Sequence, residues 1–217
     1  MCQEVRKSNS TRHELQSRIL YTLLNMLQTL GLISGFLSII MFIPYVRDIL
    51  LGTTKPERAS WFIWSVLGGI AFFSQMAKGA TDSLWLTGAQ TLGVFVVLLF
   101  SIRYGAGGLA KRDIVALIAA GAGLALWYLT DEAAVALIIV IIIDAIGGWL
   151  TVLKSYEDPG SETLITWFLS GTSGIFGALA VGSINYILLA YPIYLVLINY
   201  AVVMAMLLGR RAKLSRV

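Results

Sequence analysis

Runs of roughly 17 to 25 apolar residues follow one another along this chain with only short polar breaks between them. A helix needs about 20 such residues to cross about 30 Å of hydrocarbon. Seven runs meet that length, approximately Leu27 to Leu51, Ser60 to Lys78, Ser83 to Ile102, Ile114 to Thr130, Ala133 to Ser155, Glu162 to Val181 and Ile184 to Leu208. None alternates apolar with polar residues as a membrane barrel does, and in lipid each segment must satisfy its own backbone polar groups. The expectation is an all-α membrane protein with seven transmembrane helices. Composition agrees: with 58% hydrophobic and 13% charged residues and a mean hydropathy of +0.81, a chain of 217 residues holds more apolar side chain than a soluble domain can bury.

The first apolar run begins at Ile19, which makes it 33 residues long to Leu51. Either that helix tilts and protrudes, or residues 12–29 form a separate amphipathic piece on the membrane surface. The polar lead and the length of the run argue against a cleavable signal, so the first span itself is expected to direct insertion. The single cysteine, Cys2, allows no internal disulfide, and with one histidine, His13, no metal site or cofactor is expected. No phosphate-binding loop, thiol pair or nucleophile–base arrangement is present, so no enzymatic activity is expected.

The formal charge of +4 does not call for nucleic acid, because the basic residues sort by side. With seven spans, 11 Lys and Arg fall on the side of the C-terminus, among them Arg47, Arg103, Lys111 and Arg210, against 5 on the other. The positive-inside rule places the C-terminus in the cytoplasm and the N-terminus outside, as in a protein of the plasma (inner) membrane.

Sliding the chain by 103 positions lays Pro56 on Pro159, Trp64 on Trp167, Gly68 on Gly171, Phe73 on Phe176, Ala77 on Ala180 and Gly79 on Gly182. Six identities in the 25 pairs from Lys55 to Gly79 exceed the roughly two that chance gives in so apolar a chain. The same offset carries spans 1, 2 and 3 onto 5, 6 and 7, leaving span 4 unpaired. A 3+1+3 plan follows, in which the fourth span lets both repeats face the same way. The expected organisation is a leader at 1–26, a triple-helix bundle at 27–103, a linker helix at 104–132, a second bundle at 133–208 and a basic tail at 209–217.

IPYVRDILLGTTKPERASWFIW, residues 43–64, resembles the loop-and-helix signature of the PQ-loop and SWEET-type transporter superfamily. That resemblance implies a transporter that moves a small solute, a sugar first and an amino acid second, by alternating access between two bundles, with prolines of the first helices as hinges. Tyr45 stands where the motif's glutamine would, and Gly147-Gly148 stands where the first repeat has Pro44-Tyr45. Proline removes a helix donor and paired glycines ease bending, so Pro44, Gly147 and Gly148 are the candidate hinges. Related architectures carry nicotinamide riboside or act as receptors without transport. The expected partners are a small-molecule solute and the bilayer, and a monomer suffices because both bundles lie in one chain.

Asp144 lies in the middle of its span, where a carboxylate costs about 2.5 to 3.5 kcal/mol unless neutralised, paired or wetted. It is expected to line the solute path, with Gly148, Thr151 and Ser155 on the same helical face. Trp64 and Trp167 each stand above small residues (Gly68 and Ala71; Gly171 and Gly174), leaving a notch for a flat solute or else serving an aromatic belt, to which Trp61 is assigned. By the resemblance, Asn199 and Gln90 are amide contacts to a sugar. Asp48, Arg58 and Asp158, with Lys55, Glu57 and Glu162, are candidates for an ion-pair gate between the repeats.

Overall fold

In a computed structural model of the chain, the described residues are 2–52, 56, 58–105, 111–130, 132–160 and 162–214, with the side chains of residues 2–13 and of scattered positions in 59–154 also left undescribed. Among them every element is helical: α1 (Cys2–Ile40), α2 (Phe42–Leu50), α3 (Arg58–Ala77), α4 (Leu84–Tyr104), α5 (Lys111–Thr130), α6 (Ala133–Glu157), α7 (Leu164–Ala180) and α8 (Tyr186–Leu214). Three stretches are long and apolar enough to cross a membrane, Glu14–Leu50, Leu84–Tyr104 and Tyr186–Leu214. Trp61–Ala77, Ala133–Ala145 and Leu164–Ala180 are shorter apolar helices.

From Cys2 to Ile40 the chain is one continuous helix, with no break between residues 12–29 and the rest of it. Leu15, Ile19, Leu20, Tyr21, Leu23 and Leu24 are all exposed along it, and Leu27, against Gly182, is the first residue seen to meet a neighbour. The helix breaks at Met41, three residues before Pro44. Proline has no N–H to offer the carbonyl of residue 40, so the ladder is interrupted there and resumes as α2. In the second repeat α6 passes through Gly147-Gly148 without interruption. One hinge candidate therefore coincides with a break and the other does not. Pro44→Ala should restore the missing donor and join α1 to α2, and a higher melting temperature is the expected result.

Within the first three long elements, α4 lies between α1 and α3, packing on both, while α1 and α3 make no substantial contact with each other. The second set repeats this: α8 lies between α6 and α7. The two sets meet along two seams, α1 on α7 and α3 on α6, so the six helices close into a ring in the order α1, α4, α3, α6, α8, α7. α5 packs outside the ring on α6 and α3.

Residue pairs give the directions. Gly31 lies on Asp82, Gly35 on Trp85 and Gly93 on Phe42, so α1 and α4 run parallel. Gly148 lies on Ile198, and Gly209 on Tyr156, so α6 and α8 run parallel too. The Ser34 hydroxyl donates to the Ser173 carbonyl at 2.7 Å and Thr166 to the Met41 carbonyl at 3.3 Å, which makes α1 and α7 antiparallel. Gly171 on Tyr200 and Gly174 on Val196 make α7 and α8 antiparallel as well. It follows that α1, α4, α6 and α8 point one way, and the first and fifth long elements face alike.

The internal repeat also shows in the backbone. Gly79 and Gly182, matched by the offset of 103, follow the ends of α3 and α7 with φ of 83° and 67°. A side chain is strained in this left-handed region, which gives the shared glycine its reason.

Candidate functional site

Asp144 stands on the side of α6 that carries Ala136, Leu137, Val140 and Ser155, all buried, and away from the side carrying Ile138, Ile142, Trp149 and Leu153, all exposed. A helix turns about 100° per residue, so the acid faces the ring's interior. The Tyr194 hydroxyl of α8 donates to its Oδ2 at 2.7 Å. The Trp64 indole of α3 lies against the same carboxyl group, and Tyr191 is close by. The ring centroids of Tyr191 and Tyr194 are 6.3 Å apart. Three helices from both repeats thus converge on one acid.

Trp64 continues into an aromatic chain. Trp61 meets it edge-on at 5.2 Å, Tyr45 tilts against Trp61 at 5.1 Å and Phe42 approaches Trp61 at 6.4 Å. Trp61 is buried at 8% exposure, which corrects its assignment to an aromatic belt: Met41, Phe42 and Ile49, at and beyond the break in the first helix, pack with Val97 of α4 around it. Leu169 of α7 packs on the same cluster, tying it to the second repeat.

On the other side of Asp144, toward the turns at 78–83 and 181–185, the interior is filled. Leu67 and Ile70 of α3, Leu86 of α4, Leu137 of α6 and Leu195 of α8 form one buried cluster with Tyr191. Leu86 also presses on Gly177 of α7. At that end Lys78 and Glu132 form an ion pair across the α3–α6 seam. The interior of the ring is packed with apolar side chains here, and one charge pair lies at its edge.

The remaining candidates are distributed differently. Gln90 is buried and donates to the Ser170 hydroxyl at 3.2 Å, joining α4 to α7 across the ring. Asn199 is buried and donates one amide N–H to the Leu195 carbonyl of its own helix at 2.7 Å. Trp167 donates from Nε1 to Glu162 at 3.2 Å, at the start of α7 and away from Asp144. The notches are filled: a Cβ on Gly68 would meet Thr91 of α4, Gln75 accepts from Thr87 of α4 at 2.7 Å, and Gly171 and Gly174 receive Tyr200 and Val196 of α8. Small residues there bring the third helix of each repeat close, the ordinary use of such residues in membrane helices. The notch reading is thereby corrected.

Arg58 donates to the carbonyls of Ser101 at 2.9 Å and Gly105 at 2.8 Å, which caps the end of α4 inside the first repeat. Lys213 pairs with Asp158 at 3.4 Å inside the second. Asp48 also has an interaction partner. Lys55 and Glu57 lie outside the described residues, as do the side chains of Cys2, His13 and Gly147. The ion pair Lys78–Glu132, between the end of α3 and the residue before α6, sits at the opposite end from the expected gate. An exposed pair contributes little to stability, about 0 to 1 kcal/mol, so Lys78→Gln should leave the melting temperature nearly unchanged. A drop of more than about 5 °C would show that the pair holds the seam together.

Tyr194 is the residue that sequence reasoning missed. It lies within about one helical turn of Asp144 in depth when residues are counted from the starts of the parallel helices α6 and α8. The signal was the acid itself, which needs a donor at its own depth. No family model, curated protein or solved structure matches the chain.

Proposed function

We propose that the chain is a membrane transporter of the PQ-loop and SWEET type, with seven spans in a 3+1+3 plan, moving a small solute through the interior of the six-helix ring. The observation that carries this reading is the placement of Asp144. It is the acid of a long apolar helix, turned inward, and touched by side chains from both halves of a duplicated ring.

Two features support alternating access over a static pore. The interior is plugged on one side of Asp144 by Leu86, Leu137 and Tyr191 and is lined on the other by aromatic rings, so the acid sits at a boundary between a closed and an aromatic-lined half. The halves meet chiefly along two antiparallel seams, α1 on α7 and α3 on α6, with smaller contacts of α4 and α2 on α7 and of α3 on α8, so one half can rock on the other with the packing inside each bundle kept.

Counterflow in liposomes tests the reading. Purified protein reconstituted with a panel of labelled sugars, amino acids and organic amines should exchange at least one of them faster than empty liposomes. Gln90→Leu, which removes the amide linking α4 to α7 across the ring, should slow that exchange about tenfold without preventing folding. Exchange at the rate of empty liposomes for every solute overturns transport.

A further inference from the structure

The interior of the ring also speaks to the charge of what it binds, an inference that rests on the transport reading only in treating this interior as the solute path. Residues 19–46, 59–77, 83–102, 114–130 and 164–209 contain no Lys, Arg, His, Asp or Glu, and within 133–153 Asp144 is the sole ionisable acid or base. No basic side chain of these apolar stretches stands opposite it. The groups that do touch it are a phenol and an indole, Tyr194 and Trp64, with the Tyr191 ring close by.

A lone carboxylate at this depth is costly unless a positive charge or a proton joins it. Its surroundings suit the first option. Tyrosine and tryptophan faces carry negative quadrupole charge and attract organic cations within about 6 Å of the ring centre, the arrangement used to hold quaternary ammonium groups. Tyr191 and Tyr194 supply two rings 6.3 Å apart, and Trp64, set edge-on to Trp61 at 5.2 Å, supplies the wall from the other repeat. Gln90 gives one amide N–H to Ser170 and Asn199 gives one to its own backbone.

We propose that the missing counter-ion is the solute: a small organic monocation, an amine or a quaternary ammonium, held by Asp144 between the Trp64 ring and the Tyr191–Tyr194 pair. The cation binds through its charge and its apolar surface together, and it joins the two halves of the ring through one acid and three rings.

Cation and neutral isostere separate this from every other occupant. Intrinsic tryptophan fluorescence of the full chain in detergent is titrated with methylammonium, tetramethylammonium, choline and N-methylpyridinium, and with 3,3-dimethylbutan-1-ol, the neutral carbon isostere of choline. At least one cation is expected to bind, and choline to bind about tenfold or more tighter than its isostere. Asp144→Asn should erase that preference, and Trp64→Leu should weaken cation binding about tenfold. Binding by none of the four cations, equal binding of choline and its isostere, or a preference that survives Asp144→Asn overturns the proposal, the second outcome without recourse to any variant. Failure of the transport reading looks different. Cations that bind but do not exchange in liposomes would leave a cation receptor, whereas exchange of neutral sugars unaffected by Asp144→Asn would leave a transporter with another substrate.

Discussion

On the transport reading proposed above, Asp144→Asn is expected to reduce solute exchange at least 100-fold while leaving the protein as stable as before or more so. The amide keeps the shape of the carboxyl and can still accept the Tyr194 hydrogen bond, so packing around α6 and α8 is preserved. What disappears is the charge. A charge without a basic partner in a membrane interior is a stability cost, and its removal is neutral or favourable by about 1 kcal/mol or more. A 100-fold loss in rate corresponds to about 2.7 kcal/mol of differential stabilisation, which one desolvated ionic contact can supply. The measurement is paired: exchange in liposomes and thermal melting of the same preparation. Loss of both together would mark Asp144 as a structural tie between α6 and α8, and loss of neither would remove it from the path.

Gly31→Leu is expected to have the largest effect on stability. A Cβ at Gly31 would land on the backbone carbonyl of Asp82, in the turn that starts α4. That carbonyl cannot step aside as a flexible side chain does, so α1 must withdraw from the turn along the face it shares with α4. Overpacking a close contact costs about 1 to 3 kcal/mol, and here the relief has to come from backbone. For a chain of this size about 3 kcal/mol lowers the melting temperature by about 6 to 12 °C. Gly69→Leu serves as the control, since a Cβ there meets nothing within 4 Å. Equal melting of the two variants would show that α1 does not approach the α3–α4 turn as described.

How much of this was legible beforehand varies from residue to residue. The helical class, the direction of the repeats and the inward placement of Asp144 follow from run length, from the offset of 103 and from the cost of a charge in lipid. Pro44 announced its break because a missing donor is a local property. Trp61, Gly68 and Gly171 were harder. Whether a tryptophan near a helix end faces lipid or is covered depends on α2 packing against it, and whether a glycine leaves a notch or admits a neighbour depends on which helix is the middle one of three. That order is a tertiary fact with no trace in the spacing along one helix. Tyr194 lies between the two cases, because a tyrosine among aliphatic residues looks like any other interfacial ring until an acid at the same depth is noticed.

The order of helices within each set has a consequence for synthesis. Because α4 is the element that touches both α1 and α3, the two long helices made first make no substantial contact with each other. A nascent chain halted before Leu84 would carry a pair of strangers, the helix that joins them not yet made. Assembly waits on the last helix of each trio, and the ribosome's arrival at that helix, more than the making of the first two, times the birth of each half.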